Sequence, residues 1–134
     1  MKEQPLIALD REKILKLADE IQFAANGIVS RTVMRTPAAR VVLFGFAEGQ
    51  ELSEHTSPHH ALVQILSGEA EFSLAGTWHT LPAGALLYMP PHLSHAVRAP
   101  QRFAMLLTLF RAEPEKPAEP GPAPAKNKIS LNPA

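Results

Sequence analysis

Apolar residues along the chain come in short runs, and glycine or proline separates most of the runs. β-Branched and aromatic residues are frequent in them, which predicts strands. The predicted strands cover residues 28–36, 40–47, 61–66, 69–74, 78–81, 85–89, 95–98 and 103–110. Turn signals such as Ser67-Gly68 and Pro90-Pro91 stand between them. Many short strands of this kind predict an all-β sandwich or barrel.

In the region before the first predicted strand, apolar residues recur at the spacing of a helix, not at that of a strand. Asp10 is a suitable N-cap, and Ile14, Leu17 and Ile21 recur at helical spacing. We therefore expect a short N-terminal helix over residues 10–20.

The end of the chain differs from both of these regions. Six of the 13 prolines fall within residues 112–134, which contain no aromatic residue. Such a segment buries too little apolar surface to offset its ordering entropy. We predict one domain over residues 1–111, with a barrel over about 28–111 and an extension over 1–27. A proline-rich disordered tail over 112–134 follows.

Composition narrows the choice of partners and of chemistry. Lys+Arg and Asp+Glu number 13 each, so a nucleic acid or an anionic membrane surface is not the expected partner. The chain has no cysteine, which excludes disulfides, thiolate nucleophiles and thiolate zinc sites. No apolar run resembles a signal peptide or a membrane span. We expect a cytoplasmic protein whose partner is a small molecule.

Histidine is the most informative residue type. Three of the six histidines, His55, His59 and His60, lie within six residues of one another, just before a predicted strand. His95 begins another strand after the Pro90-Pro91 turn. Imidazole groups bind divalent metals and titrate near neutral pH. These four histidines are our candidate metal ligands.

The region from residue 49 to residue 110 resembles the cupin superfamily. That superfamily has two motifs, which here run from Gly49 through His55 to Gly68 and from Gly84 through Pro90 to His95. Between Gly68 and Gly84 lie 15 residues. The resemblance implies a double-stranded β-helix, that is, a jelly-roll barrel, usually a dimer, with a site inside its mouth.

In metal-binding members of the superfamily, the first motif supplies two histidines and a glutamate, and the second supplies one histidine. His55 and His95 match two of these ligands. Ser57 and Ala61 stand where the second histidine and the glutamate are expected. The resemblance therefore implies a divalent transition metal site whose ligand set is incomplete.

A third imidazole can come from either of two neighbours. His59 shares strand parity with Ala61, whereas His60 has the opposite parity and needs an irregular loop to turn inward. Either one, with His55 and His95, would suit Zn²⁺, and Ni²⁺, Fe²⁺ or Mn²⁺ less decisively. The alternative is a metal-free pair of His55 and His95, hydrogen-bonded inside the barrel.

Three further residues are candidates for substrate binding. Tyr88 lies on the strand that enters the second motif, and His92 occupies a turn position where the family has glycine. Gln64 can contact a ligand only if it faces the cavity, and alternation from Ala61 turns it outward.

Three functions follow as hypotheses. The first is a cupin that binds a divalent metal, a small polar metabolite or both, and that supports oxygenase-type or isomerase-type chemistry. The alternative is a metal-free binding or sensing module with an apolar pocket lined by Val63, Ile65, Leu87 and Met105. The third is an assembly role that uses the proline-rich tail.

We also expect a homodimer. Leucines of the predicted strands are assigned to the face away from the cavity, where an apolar surface needs cover; they are Leu62, Leu66, Leu74 and Leu86.

Overall fold

The structure is a computed structural model, and it describes residues 4–112 of the chain. Within that range the chain forms α1 (Leu17–Glu20), β1 (Ile28–Arg35), β2 (Ala39–Phe46), β3 (Glu51–His55), β4 (His60–Ser67), β5 (Glu69–Leu74), β6 (Thr77–Pro82), β7 (Leu86–Met89), β8 (His95–Arg98) and β9 (Phe103–Phe110). No helix in this part of the chain has the length and apolar character needed to span a membrane.

The strands form two antiparallel sheets. One has the order β1-β2-β9-β4-β7, and the other has the order β3-β8-β5-β6. Strands far apart in sequence become neighbours, as when β9 pairs with both β2 and β4. The all-β class follows the prediction from the pattern of short strands, and the double-stranded β-helix is the fold that the resemblance implied. All eight predicted strands form within one residue of their predicted ends.

The core lies between the two sheets and follows from strand alternation. Val63 and Ile65 of β4 point inward and are almost fully buried, as is Phe72 of β5 on the opposite sheet. Phe46 and Phe103 stack with their ring centroids 4.5 Å apart. The interior is therefore filled with side chains over much of its depth.

The N-terminal segment first runs along the β1 edge of the five-stranded sheet and then crosses over the sheet at Gly45. The backbone N–H groups of Leu6 and Ile7 donate to carbonyl oxygens of β1. Further on, the Gln22 carbonyl lies so close to Gly45 that any Cβ there would collide with it. Glycine is required at this position because a backbone crosses directly above it.

The predicted helix is much shorter than the interval 10–20. Only the four residues of α1 are helical, and Lys16, not Asp10, precedes them without a side-chain cap. Ile14, counted among the apolar positions of the helix, is 91% exposed. A helix this short is not stable by itself, and packing of an apolar face is what would extend it.

A strand that the sequence pattern did not indicate is β3. Residues 51–55 are absent from the predicted strands, but Glu51 and Glu54 lie, exposed, on an edge strand of the four-stranded sheet. Its single apolar residue, Leu52, packs against the core.

Two other expectations concern Leu74 and the proline-rich tail. Leu74 packs against the core, so its assignment to the outer face was wrong. The predicted tail lies outside the described residues from position 113 onward, so its disorder stays a prediction.

Candidate functional site

The structure brings His55 and His95 together. They are direct partners in the β3–β8 ladder, and their ring centroids are 4.2 Å apart. His95 is 9% exposed, whereas His55 is exposed to solvent. The two imidazoles, called the histidine pair below, therefore extend from the barrel interior to its surface.

A β-bulge is what turns both rings to the same side. Leu52 pairs with Val97 and His55 pairs with His95, so β3 has one more residue than β8 between these two partnerships. Strict alternation from the core residue Leu52 would point Glu54 inward and His55 outward. The extra residue reverses this parity and places His55 beside His95.

Hydrogen bonds determine which ring nitrogen carries the proton. Nδ1 of His55 lies 2.7 Å from the carbonyl oxygen of Ser53, and Nδ1 of His95 lies 2.9 Å from that of Leu93. A carbonyl oxygen only accepts, so each Nδ1 donates and each neutral ring keeps its lone pair on Nε2. Among residues 4–112, no protein group binds either Nε2.

The environment of His95 favours its neutral form. Burial lowers the pKa of this imidazole from its ordinary value of 6.5, and the nearby His55 lowers it further. The hydrogen bond to the Leu93 carbonyl raises the pKa; this effect is smaller than that of burial and larger than that of His55. At neutral pH, His95 is therefore an uncharged acceptor with an available lone pair.

The donor set at the pair does not fit a tightly held transition metal. In the part of the chain that the structure describes, no group of three or more His, Cys, Asp or Glu side chains could hold a metal ion. Ser57 instead fixes a loop, since its hydroxyl oxygen accepts from the His59 amide and its carbonyl from the His92 amide. Ala61 is buried in the core. Two imidazoles fall short of the three protein ligands that such sites usually have.

Neither candidate for the third imidazole joins the pair. His60 is an outward-facing residue of β4, where its Nδ1 lies 2.8 Å from the Tyr88 hydroxyl oxygen. Its ring also stacks on Phe110 at 4.8 Å. His59 is exposed and lines a separate cavity.

Two of the three predicted substrate-binding residues are likewise away from the pair. Gln64 and Tyr88 are exposed on the outer face of the five-stranded sheet, as alternation requires. His92 is an exposed turn residue with φ 70°, the conformation for which the family has glycine at this position. The four residues assigned to an apolar pocket (Val63, Ile65, Leu87 and Met105) belong to the core or pack against it.

The separate cavity has a volume of about 270 Å³ and lies where β1 turns into β2. It is lined by Arg35, Arg40 and Arg111, by the turn between the first two, and by His59, Leu109 and Phe110. Sequence reasoning missed the arginines. The signal was present in "RTPAAR", because two residues that flank a tight turn in a hairpin are cross-strand partners.

The fold and the histidine pair together define a small jelly-roll barrel with imidazoles at one end. The sequence profile described as Cupin domain matches residues 42–110, slightly more than half of the 134 residues. The chain therefore belongs to the cupin family.

Solved structures agree with this assignment. A conserved protein of unknown function from Streptococcus pyogenes is 31% identical with a TM-score of 0.73, and the match covers 85% of this chain and 98% of that one. A cupin superfamily protein from Desulfitobacterium hafniense is 30% identical with a TM-score of 0.71, over 78% of this chain and 95% of that one.

A more distant structure shares only the fold. It is described as a putative mannose-6-phosphate isomerase from Ralstonia eutropha and is 18% identical, with a TM-score of 0.67 over 75% of this chain and 100% of that one. Among curated proteins, none matches the chain.

Proposed function

We propose that this protein is a metal-independent binding module that holds a small polar metabolite at the histidine pair. The observation that carries the proposal is that both Nδ1 atoms are engaged with carbonyl oxygens while neither Nε2 has a partner in residues 4–112. Buried polar atoms are normally satisfied, and of the two rings that of His95 is buried. A ligand that donates two hydrogen bonds, such as a hydroxylated metabolite, would satisfy both acceptors.

The pair also suits proton transfer. A neutral imidazole is a general base at physiological pH, and burial keeps His95 neutral. A bound metabolite with an acidic C–H or O–H group next to Nε2 of His95 would meet such a base. This supports isomerase-type chemistry as an extension of binding, with His95 as the residue that accepts the proton.

A divalent metal is the second candidate, and one observation favours it. Metal-bound histidines usually donate their other ring N–H to a carbonyl or carboxylate, as both His55 and His95 do here. With only two protein ligands, such a metal would need ligands from solvent or from the metabolite. We therefore expect it to be weakly held and removable by a chelator.

The test is a thermal-shift screen of hydroxy acids and sugars, with and without EDTA, on protein purified without a nickel column. Compounds that raise the melting temperature are then examined by NMR of ¹⁵N-labelled histidine side chains. We expect stabilisation that EDTA does not abolish and a chemical-shift change at Nε2 of His55 and His95.

Matched variants localise the effect. His55→Gln, at an exposed position, and His95→Gln should weaken binding at least about tenfold, the effect of losing one good hydrogen bond. His79→Gln, at an exposed position on β6, should bind like the wild type. Stabilisation that requires added Zn²⁺ or Ni²⁺ would favour the second candidate, and binding unchanged in both pair variants would rule out this site.

A further inference from the structure

The arginines of the cavity differ from the others in the described chain. Of seven arginines in residues 4–112, Arg11, Arg31 and Arg98 have carboxylate partners and Arg102 lies over the Phe23 ring. The remaining three, Arg35, Arg40 and Arg111, all line the same cavity, and no acidic residue of the range 4–112 belongs to its lining. Three arginines that have no carboxylate partner among the described residues therefore lie around one cavity, on a chain of zero net charge.

Two of these arginines are neighbours across the β1–β2 hairpin. Arg35 and Arg40 are direct cross-strand partners in the β1–β2 ladder, so their side chains leave the same face of the sheet. Like charges in this arrangement destabilise an antiparallel pair. An anion between the two guanidinium groups would convert this repulsion into two attractions.

The turn that carries them is tightly constrained. Thr36 and Ala39 exchange backbone hydrogen bonds, and the Thr36 hydroxyl accepts from the amides of Ala38 and Ala39. The amide of Arg111 donates to the Ala38 carbonyl at 2.9 Å, which holds the third arginine against the same turn. The backbone that carries all three arginines is thus ordered, and the Arg35 guanidinium also donates to the Thr32 hydroxyl at 3.4 Å. An ordered backbone lowers the entropic cost of bringing the exposed side chains onto an anion.

We propose that this cavity binds the carboxylate or phosphate group of a small metabolite. Guanidinium groups bind both kinds of oxyanion through paired N–H donors. A volume of about 270 Å³ suits a small molecule. Leu109 and Phe110 provide an apolar wall for its carbon skeleton, and His59 adds a further polar group.

This site is independent of the proposed function of the histidine pair. The cavity and the pair lie at the same end of the barrel, because the loop after His55 leads through His59 into β4. Their linings nevertheless share no residue, since neither His55 nor His95 lines the cavity. Anion binding can therefore succeed or fail without regard to the pair.

The experiment is isothermal titration calorimetry of the full chain with inorganic phosphate and, separately, with succinate, in a phosphate-free buffer of low ionic strength. We expect one or both probes to bind and the binding to weaken as NaCl is added. Arg40→Gln and Arg35→Gln should each reduce affinity at least about tenfold. Arg40→Lys, which keeps the charge but not the paired donors, should lie between Arg40→Gln and the wild type.

Two controls separate the site from its alternatives. Arg11→Gln removes the same charge at a position outside the cavity and should bind like the wild type. His95→Gln should also retain anion binding, which distinguishes this site from the pair. Circular dichroism checks that each variant is folded. Absence of binding by both probes, or an equal loss in Arg11→Gln and Arg40→Gln, would overturn the proposal. Binding of one probe alone would identify the oxyanion class.

Discussion

His95 and His60 each begin a strand at the same end of the barrel, and each contacts a second aromatic ring, yet they lie on opposite faces of their sheets. His95 points inward to His55 and is buried. His60 points outward, is hydrogen-bonded to Tyr88 and stacks on Phe110.

The difference shows that strand face, not residue type, determines what a histidine does here. On the inner face, burial lowers the pKa of His95. Its Nδ1 donates to the Leu93 carbonyl, so Nε2 is the nitrogen that a ligand can bind. On the outer face, the Tyr88 hydroxyl engages His60 and its ring covers apolar surface. The predictions below test this contrast between inner and outer faces.

The largest expected effect is on stability. Phe103 is fully buried and stacked on Phe46, so Phe103→Ala should lower the free energy of unfolding by about 3–5 kcal/mol. Thr80, on the outer face of the four-stranded sheet, is exposed, and Thr80→Ala should change it by less than about 1 kcal/mol. Urea denaturation followed by circular dichroism measures both. Similar losses in the two variants would contradict the assignment of faces.

A second test concerns what covers the outer face. Leu86 and Tyr88 leave an apolar surface at the edge of the five-stranded sheet, which supports the homodimer that we propose. Light scattering at tens of micromolar should give twice the chain mass, and Leu86→Glu should shift it towards the monomer. Ile14→Glu, at a position 91% exposed in the N-terminal segment, is the control and should remain dimeric. A monomeric wild type would refute this proposal.

The smallest effect is a pH dependence specific to the inner histidine. Because burial lowers the pKa of His95 below 6.5, the unfolded chain binds this proton at a higher pH than the folded chain. The stability due to the neutral imidazole is therefore present above about pH 6.5 and is lost as the pH falls towards the lowered pKa of the folded state.

Chemical denaturation from pH 7.5 to pH 5 measures this dependence. His95→Gln should flatten the decline in unfolding free energy relative to the wild type. His60→Gln, on the outer face, should leave the decline unchanged. A wild-type profile identical to that of His95→Gln would contradict the proposed effect of burial on this group.

Much of the fold was predictable because it depends on local patterns. Alternating apolar residues predicted β4, with Val63 and Ile65 inward and His60 and Gln64 outward, and the structure has this arrangement. The motif spacing implied that His55 and His95 meet, and they do. The predicted extent of the N-terminal helix was wrong, because helical spacing alone does not show whether an apolar face has a surface to pack against.

The site was only partly predictable. The strand Glu51–His55 contains one apolar residue, so its pattern resembles a loop, and it becomes a strand by pairing with β8. The arginine cavity draws residues from β1, β2 and the end of β9, and only the hairpin part of it can be inferred from neighbouring positions.

The sequence by itself determined the number and position of most strands, the inward face of β4 and the two matched histidines. The strands and the inward face follow from side-chain alternation and turn chemistry, which act over a few residues. The two histidines follow from the motif spacing that the resemblance supplied. Tertiary structure decided the orientation of His55, because one extra residue in a bulge reverses the parity of a strand. It also decided that Arg111 joins Arg35 and Arg40, because that contact depends on which strands become neighbours when the sheet closes.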